Sequence, residues 1–152
     1  MEDSLLDQLS IQKLQFSAQR GDAAAQCGLA VYYESAGDHS TAATWYRYAA
    51  QQGYAQAQYN LGCLLLRGQG VKQDFIESKK WFSEAAQQGY VNAIFNLAYM
   101  NENGLGGKRD KARAYSLYQE AAEHGDPDAK KKLLEIESSS KRKNIFQKLG
   151  WK

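Results

Sequence analysis

Proline is almost missing from this sequence, which carries one, Pro127, in 152 residues. Proline inside a helix removes a hydrogen bond and clashes with the preceding turn, so its scarcity leaves helices free to form throughout the chain. Cysteine is also rare. Cys27 and Cys63 are not spaced as CxxC, and there are two histidines, His39 and His124, so neither a disulfide framework nor a four-ligand zinc site is available. No segment approaches 18 uninterrupted apolar residues, and the opening "MEDSLLDQLS" is acidic where a secretory signal would be basic and then apolar. These absences point to a soluble, cytoplasmic protein without stable membrane insertion, and to one that holds no metal or cofactor.

The chain has many Ala, Leu, Gln and Lys, with Glu beside them and 13 glycines to punctuate helix ends, and the hydrophobic share of 43% is enough for one domain with a core. The fold class expected is all-α. Residues 138–152 contain Lys141, Arg142, Lys143, Lys148 and Lys152 and no acid, which leaves −3 on residues 1–137 of a chain whose net charge is +2.

Self-similarity is plain along the middle of the chain. "WYRYAAQQGYAQAQYNLG" from Trp45 returns as "WFSEAAQQGYVNAIFNLA" from Trp81 and, weakened, as "LYQEAAEHGDPDAKKKLL" from Leu117, at steps of 36 residues. Gly21, Gly53, Gly89 and Gly125 each open a unit and are counted as position 1. Position 5 is then Ala25, Ala57, Ala93 and Ala129, and position 9 is Leu29, Leu61, Leu97 and Leu133, a spacing of four that puts both on one helical face. Tyr46, Phe82 and Tyr118, followed by the alanine pairs Ala49/Ala50, Ala85/Ala86 and Ala121/Ala122, form the matching face of a second helix. Each unit is therefore a helix-turn-helix pair.

The turn inside each unit is glycine-rich: "RGQGVKQD" in the second, "NGLGGKRD" in the third, and "SAGD", four residues shorter, in the first. A phosphate-binding loop needs GxxxxGK[ST] between a strand and a helix, and neither is present. Asp38, Asp74 and Asp110 end these turns where a second helix must start, so they read as N-caps, with Glu77 in capping-box position after Asp74.

The stretch from Gly53 to Gly89 resembles the Sel-one-like repeat, a relative of the tetratricopeptide repeat, and the resemblance extends from about Gly21 to Ile136. The third unit departs from the pattern at Gly107 and at Leu117. The resemblance implies a right-handed α/α superhelix of about three repeats with capping helices at both ends, used mainly to bind proteins. One domain over residues 1–137 is expected, with a cap at 4–20, repeats at 21–52, 53–88 and 89–124, and a C-terminal cap at 125–137.

Position 7 holds Cys27, Tyr59 and Phe95 but Lys131 in the last, incomplete unit, as though this face packs on a following repeat where one exists. Positions 4, 8, 11 and 15 remain free on the first helices, which line the inner surface in tetratricopeptide-like stacks. That row is Ala24, Gly28, Val31 and Ser35, then Gln56, Asn60, Cys63 and Arg67, then Asn92, Asn96, Tyr99 and Asn103. Its amides suit a peptide or loop backbone; the alternative is solvated helix surface or bonds between units. Tyr54 and Tyr90 at position 2 read as structural.

Residues 138–152 form a basic tail in which Ile145, Phe146, Leu149 and Trp151 would share one side of a helix. A further cap, a flexible tail, and a contact for a partner, acidic lipid or nucleic acid all fit it, with Phe146 and Trp151 as the contact residues. The chain has no extended basic face, so nucleic-acid binding is not its main activity. No base, nucleophile and third group are placed together as catalysis requires, and His39 and His124 suit surface positions. Two functions follow: a non-catalytic adaptor that binds a protein in its concave groove, or an inhibitor or immunity-type protein that blocks an enzyme or toxin with the same surface. A bacterial cytosolic setting fits either one, and no residue pattern fixes an oligomeric state.

Overall fold

The computed structural model describes residues 2–148 and the side chains of residues 9–141. The described residues form eight helices and no strand: α1 (Glu2–Gln19), α2 (Ala23–Ser35), α3 (His39–Gln51), α4 (Ala55–Arg67), α5 (Phe75–Gln87), α6 (Val91–Asn103), α7 (Lys111–Glu123) and α8 (Pro127–Lys148). The principal packing runs between helices adjacent in sequence, which is the signature of a solenoid. The pairs α2/α3, α4/α5 and α6/α7 are the three units, α1 stands before them as a second helix, and α8 stands after them as a first helix. The result is the all-α right-handed superhelix expected, with a capping helix at each end.

Local chemistry sets each helix boundary. Asp22, Asp38, Asp74, Asp110 and Asp126 each accept a hydrogen bond from the backbone N–H three residues on, at 2.6 to 3.0 Å. Glu77 does not close a capping box. Its carboxylate turns away from the Asp74 backbone to accept from Arg47 of the preceding unit and from Trp81 Nε1 at 3.1 Å, because a guanidinium within reach is the stronger partner. The bond from Arg47 lowers the Glu77 pKa.

The core is a ribbon of small and large residues threaded between the helices. Ala57, Ala93, Ala129, Ala49, Ala85 and Ala121 are fully buried, and so are Tyr46, Phe82 and Tyr118. Alanine at the crossings lets the axes approach, and the aromatics fill the space between them. Gly62 belongs to the same set: a Cβ there would lie 2.8 Å from the Phe82 ring. Position 7 packs forward where a repeat follows, the Tyr59 ring lying 5.1 Å from that of Tyr90, while Lys131 of α8 is exposed.

The long turns carry a second function besides reversal. Gly70 has φ 68°, and a Cβ there would sit 2.2 Å from the carbonyl carbon of His39 at the start of α3. Gly106 makes the same approach to Phe75 at the start of α5. Each long turn thus clamps the preceding unit, and the shortened turn of the first unit has no such glycine. The clamp also explains why His39 is half-buried, with Nδ1 shut away from solvent and unbonded, where the sequence suggested a surface histidine.

Two glycine substitutions separate the turn from the clamp. Gly53→Ala, in open space at φ 86°, should cost about 1–2 kcal/mol for the left-handed backbone alone. Gly70→Ala should cost about 1–3 kcal/mol more, because the neighbouring backbone has to move. Urea midpoints at unchanged m-value read the difference directly.

Candidate functional site

The row at positions 4, 8, 11 and 15 of α2, α4 and α6 is accessible in every unit. Gln56, Arg67, Asn92 and Asn103 are exposed, and Tyr99 and Val31 are each 43% exposed. Asn60, Asn96 and Cys63 are half-buried. Helix periodicity aligns these side chains within a unit, and the close stacking of units repeats the alignment from one first helix to the next. The first rung is small, with Ala24, Gly28, Val31 and Ser35; a Cβ at Gly28 would lie 3.3 Å from Leu14 of α1.

The two position-8 amides reach back to the preceding unit. Asn96 donates to Cys63 Sγ at 3.8 Å, and Asn60 lies beside the Tyr46 hydroxyl. Asn103 turns its amide to the Tyr99 carbonyl at 2.8 Å. Position 8 therefore forms the floor between units, and Gln56, Arg67, Asn92 and Tyr99 rise from it. Phe146 lies within α8 beyond the described side chains, and Trp151 lies outside the described residues.

Neither thiol is primed for chemistry. Burial, with the Glu34 carboxylate adding to it, pushes Cys27 up to about 11, and burial raises Cys63 as well. Both cysteines are free. Among the described residues no cluster of His, Cys, Asp and Glu could hold a metal ion, and no helix is long and apolar enough to cross a membrane.

Beneath the row lies a partly buried polar link that reading the sequence missed. The Tyr46 hydroxyl donates to Glu34 at 2.6 Å, and the Tyr118 hydroxyl donates to Glu102 at 2.9 Å. Burial first and the carboxylate second raise both phenol pKa values, so each hydroxyl keeps its proton as donor. Glu102 also pairs with Lys132 of α8 at 3.2 Å, which fastens the last helix to the third unit. In the second unit both members are apolar, Phe82 for the tyrosine and Leu66 for the glutamate. That paired exchange was the available signal. At position 6, Gln26 and Gln58 are buried and donate to the Ala18 and Ala50 carbonyls of the preceding helices at 3.1 and 3.2 Å.

The model of the Sel1 repeat matches residues 23–54, 55–90 and 91–126, and so accounts for more than half of the chain. The chain belongs to the Sel1 repeat family. Among solved structures, it is similar to a Sel1 repeat protein from Oxalobacter formigenes, with a TM-score of 0.75 and 32% identity over 83% of this chain and 98% of the other. It also resembles a protective antigen of uropathogenic Escherichia coli strains that displays an SLR fold, with a TM-score of 0.73 and 35% identity over 78% of this chain but 26% of the antigen. Cysteine rich protein B of Helicobacter pylori, at 19% identity and a TM-score of 0.59, shares the fold. No curated protein matches the chain. Sel1 repeat proteins generally take part in protein–protein interaction, and they are typically non-catalytic scaffolds.

Two measurements check the chemistry of this surface. Tyr46→Phe should cost about 1–2 kcal/mol by stranding Glu34, and Tyr46→Phe with Glu34→Leu should recover part of that, since the second unit already uses Phe and Leu; a double-mutant cycle from urea melts gives the coupling. Cys27 and Cys63 should react with a disulfide reagent at neutral pH much more slowly than a free thiol does, and at full speed once urea unfolds the chain.

Proposed function

We propose that this chain is a non-catalytic adaptor that binds a protein partner, as a peptide segment or a folded surface, along a groove lined by α2, α4 and α6. The observation that carries the reading is the unbroken run of accessible side chains on those three helices, set on a floor of half-buried Asn60, Cys63 and Asn96. Gln56, Asn92 and Asn103 offer amides to a backbone, Arg67 offers a charge-assisted donor to a carboxylate or carbonyl, and Tyr99 and Val31 offer apolar area beside them. Tyrosine and arginine are the residue types on which binding energy concentrates, so Tyr99 and Arg67 are the expected anchors. Residues 1–137 act as the binding unit in this reading.

Two unpaired cysteines suit a reducing cytoplasm, and the similar structures come from bacteria, which supports a bacterial cytoplasmic setting. The small first rung fills less space at the α2 end than the amide rungs do. A bulky partner side chain is best received there, beside Val31, with the amide rungs following.

The test is direct. The tagged chain is cross-linked in cells, its partner is identified by mass spectrometry, and the affinity of the purified pair is measured for Tyr99→Ala and Arg67→Ala. Each should weaken binding about tenfold or more, with unchanged thermal stability. Affinity untouched by both variants together would count against the groove as the binding face.

A further inference from the structure

The turns of the second and third units are built alike, with one exception that opens a hollow. Gly70 presses on His39 and Ser40 at the start of α3, and Gly106 presses on Phe75 and Ile76 at the start of α5. The next residue differs. Val71 packs, half-buried, on a core that includes Ala42 and Leu65, whereas its counterpart 36 residues on is Gly107, which has no side chain to lay down. A Cβ at Gly107 would meet only Lys79 Nζ, at 3.6 Å. Beside it lies an open hollow of about 700 Å³, walled by Leu65, Val71, Phe75 and Ile76 and edged by Gly106 and Gly107. Ile76 is left 75% exposed, the most of any large hydrophobic residue among the described side chains.

We propose that this hollow is a second contact site, which takes one bulky apolar side chain from an acidic peptide segment of a partner protein. It shares no residue with the accessible row on α2, α4 and α6, so it does not rest on the groove. A side chain seated over Phe75 and Ile76 removes both from water. By the same register, the chain fills the corresponding place at α3 with its own Val71.

Charge sets the sign of the partner. The carboxylates beside these turns are already engaged. Asp74 accepts from the Glu77 N–H and Asp110 from the Arg113 N–H, each at 2.9 Å, and Glu77 is paired with Arg47. The lysines are free. Lys72 on the wall of the hollow and Lys108 next to Gly107 are exposed, and neither pairs with a described residue. A segment with carboxylates on either side of its apolar residue therefore meets two free ammonium groups, while a basic segment finds the carboxylates taken. A lipid surface is the poorer fit, because Ile76 is the one exposed large hydrophobic residue in 68–87 and 104–110.

Nuclear magnetic resonance of the nitrogen-labelled full chain tests this at low salt, by titration with a blocked synthetic peptide that carries one leucine between runs of glutamate. The amide signals of Val71 to Glu77 and Gly106 to Lys108 should shift and saturate, while those of Gln56, Asn92 and Tyr99 stay in place. Gly107→Val installs the residue of the second unit at a φ outside the left-handed region. It should leave thermal stability equal or higher and weaken peptide binding about tenfold or more. Lys72→Glu with Lys108→Glu, or a peptide with serine for its leucine, should abolish the shifts. Wild-type amides that do not move overturn the proposal, and so does undiminished affinity in a folded Gly107→Val. Shifts that persist with the serine peptide reduce the contact to charge alone and overturn it too. Binding to phosphatidylserine vesicles that Ile76→Ser abolishes and the peptide does not displace would assign the hollow to a membrane instead. If Gly107→Val does not fold, the charge-reversed pair and the serine peptide decide. Tyr99→Ala and Arg67→Ala should leave these shifts unchanged, which keeps a failure of the groove separate from a failure of this site.

Discussion

The stack depends on backbones being able to come close. A helix of 13 residues is too short to persist alone in water, so each must bury one face against its pair and another against the next unit. That burial is possible because alanine or glycine stands wherever two axes cross and because Gly70 and Gly106 let a turn press on the helix before it. Small residues thus act here as spacers of fixed thickness. They hold the units at a constant interval, and the constant interval brings the position-4, -11 and -15 side chains of successive first helices into one row.

Stacking and capping have different chemistry, and the chain keeps them apart. Aspartates end the turns, alanines mark the crossings, and aromatics fill the gaps between helices. Apart from His39 Nδ1, the polar groups drawn inward find partners of a particular kind. Gln26 and Gln58 bond carbonyls at the ends of the preceding helices, while Glu34 and Glu102 accept from tyrosine hydroxyls. Because each such group ties one helix to another, the interior specifies which helix lies next to which as well as keeping water out.

Much of this was legible from residues alone. The alanine and leucine at positions 5 and 9, the aspartate caps and the forward-packing position 7 all follow from helix geometry applied to a repeated sequence. What was hidden depended on choices between partners. Glu77 has the spacing for a capping box, yet Arg47 lies 30 residues away in sequence and within reach in space. Asn60 and Asn96 fall on the accessible row by periodicity, but they are long enough to touch the preceding unit and are half-buried by it. Glu34 and Glu102 look like surface carboxylates until they are set beside Leu66, the residue that replaces them where the tyrosine is a phenylalanine. The division at residue 138 rested on composition; the backbone passes through it, since serine side chains there bond to the carbonyls one turn back and α8 continues to Lys148.

The short turn of the first unit has a consequence for how the molecule comes apart. α3 and α5 each pack on two helices and are pressed by the turn of the following unit; α1 packs on α2, and the short turn of the first unit has no glycine pressed against it. Opening between α1 and α2 breaks a helix contact and no turn contact, so it costs less than opening around α3 or α5, where a helix and a turn must both give way.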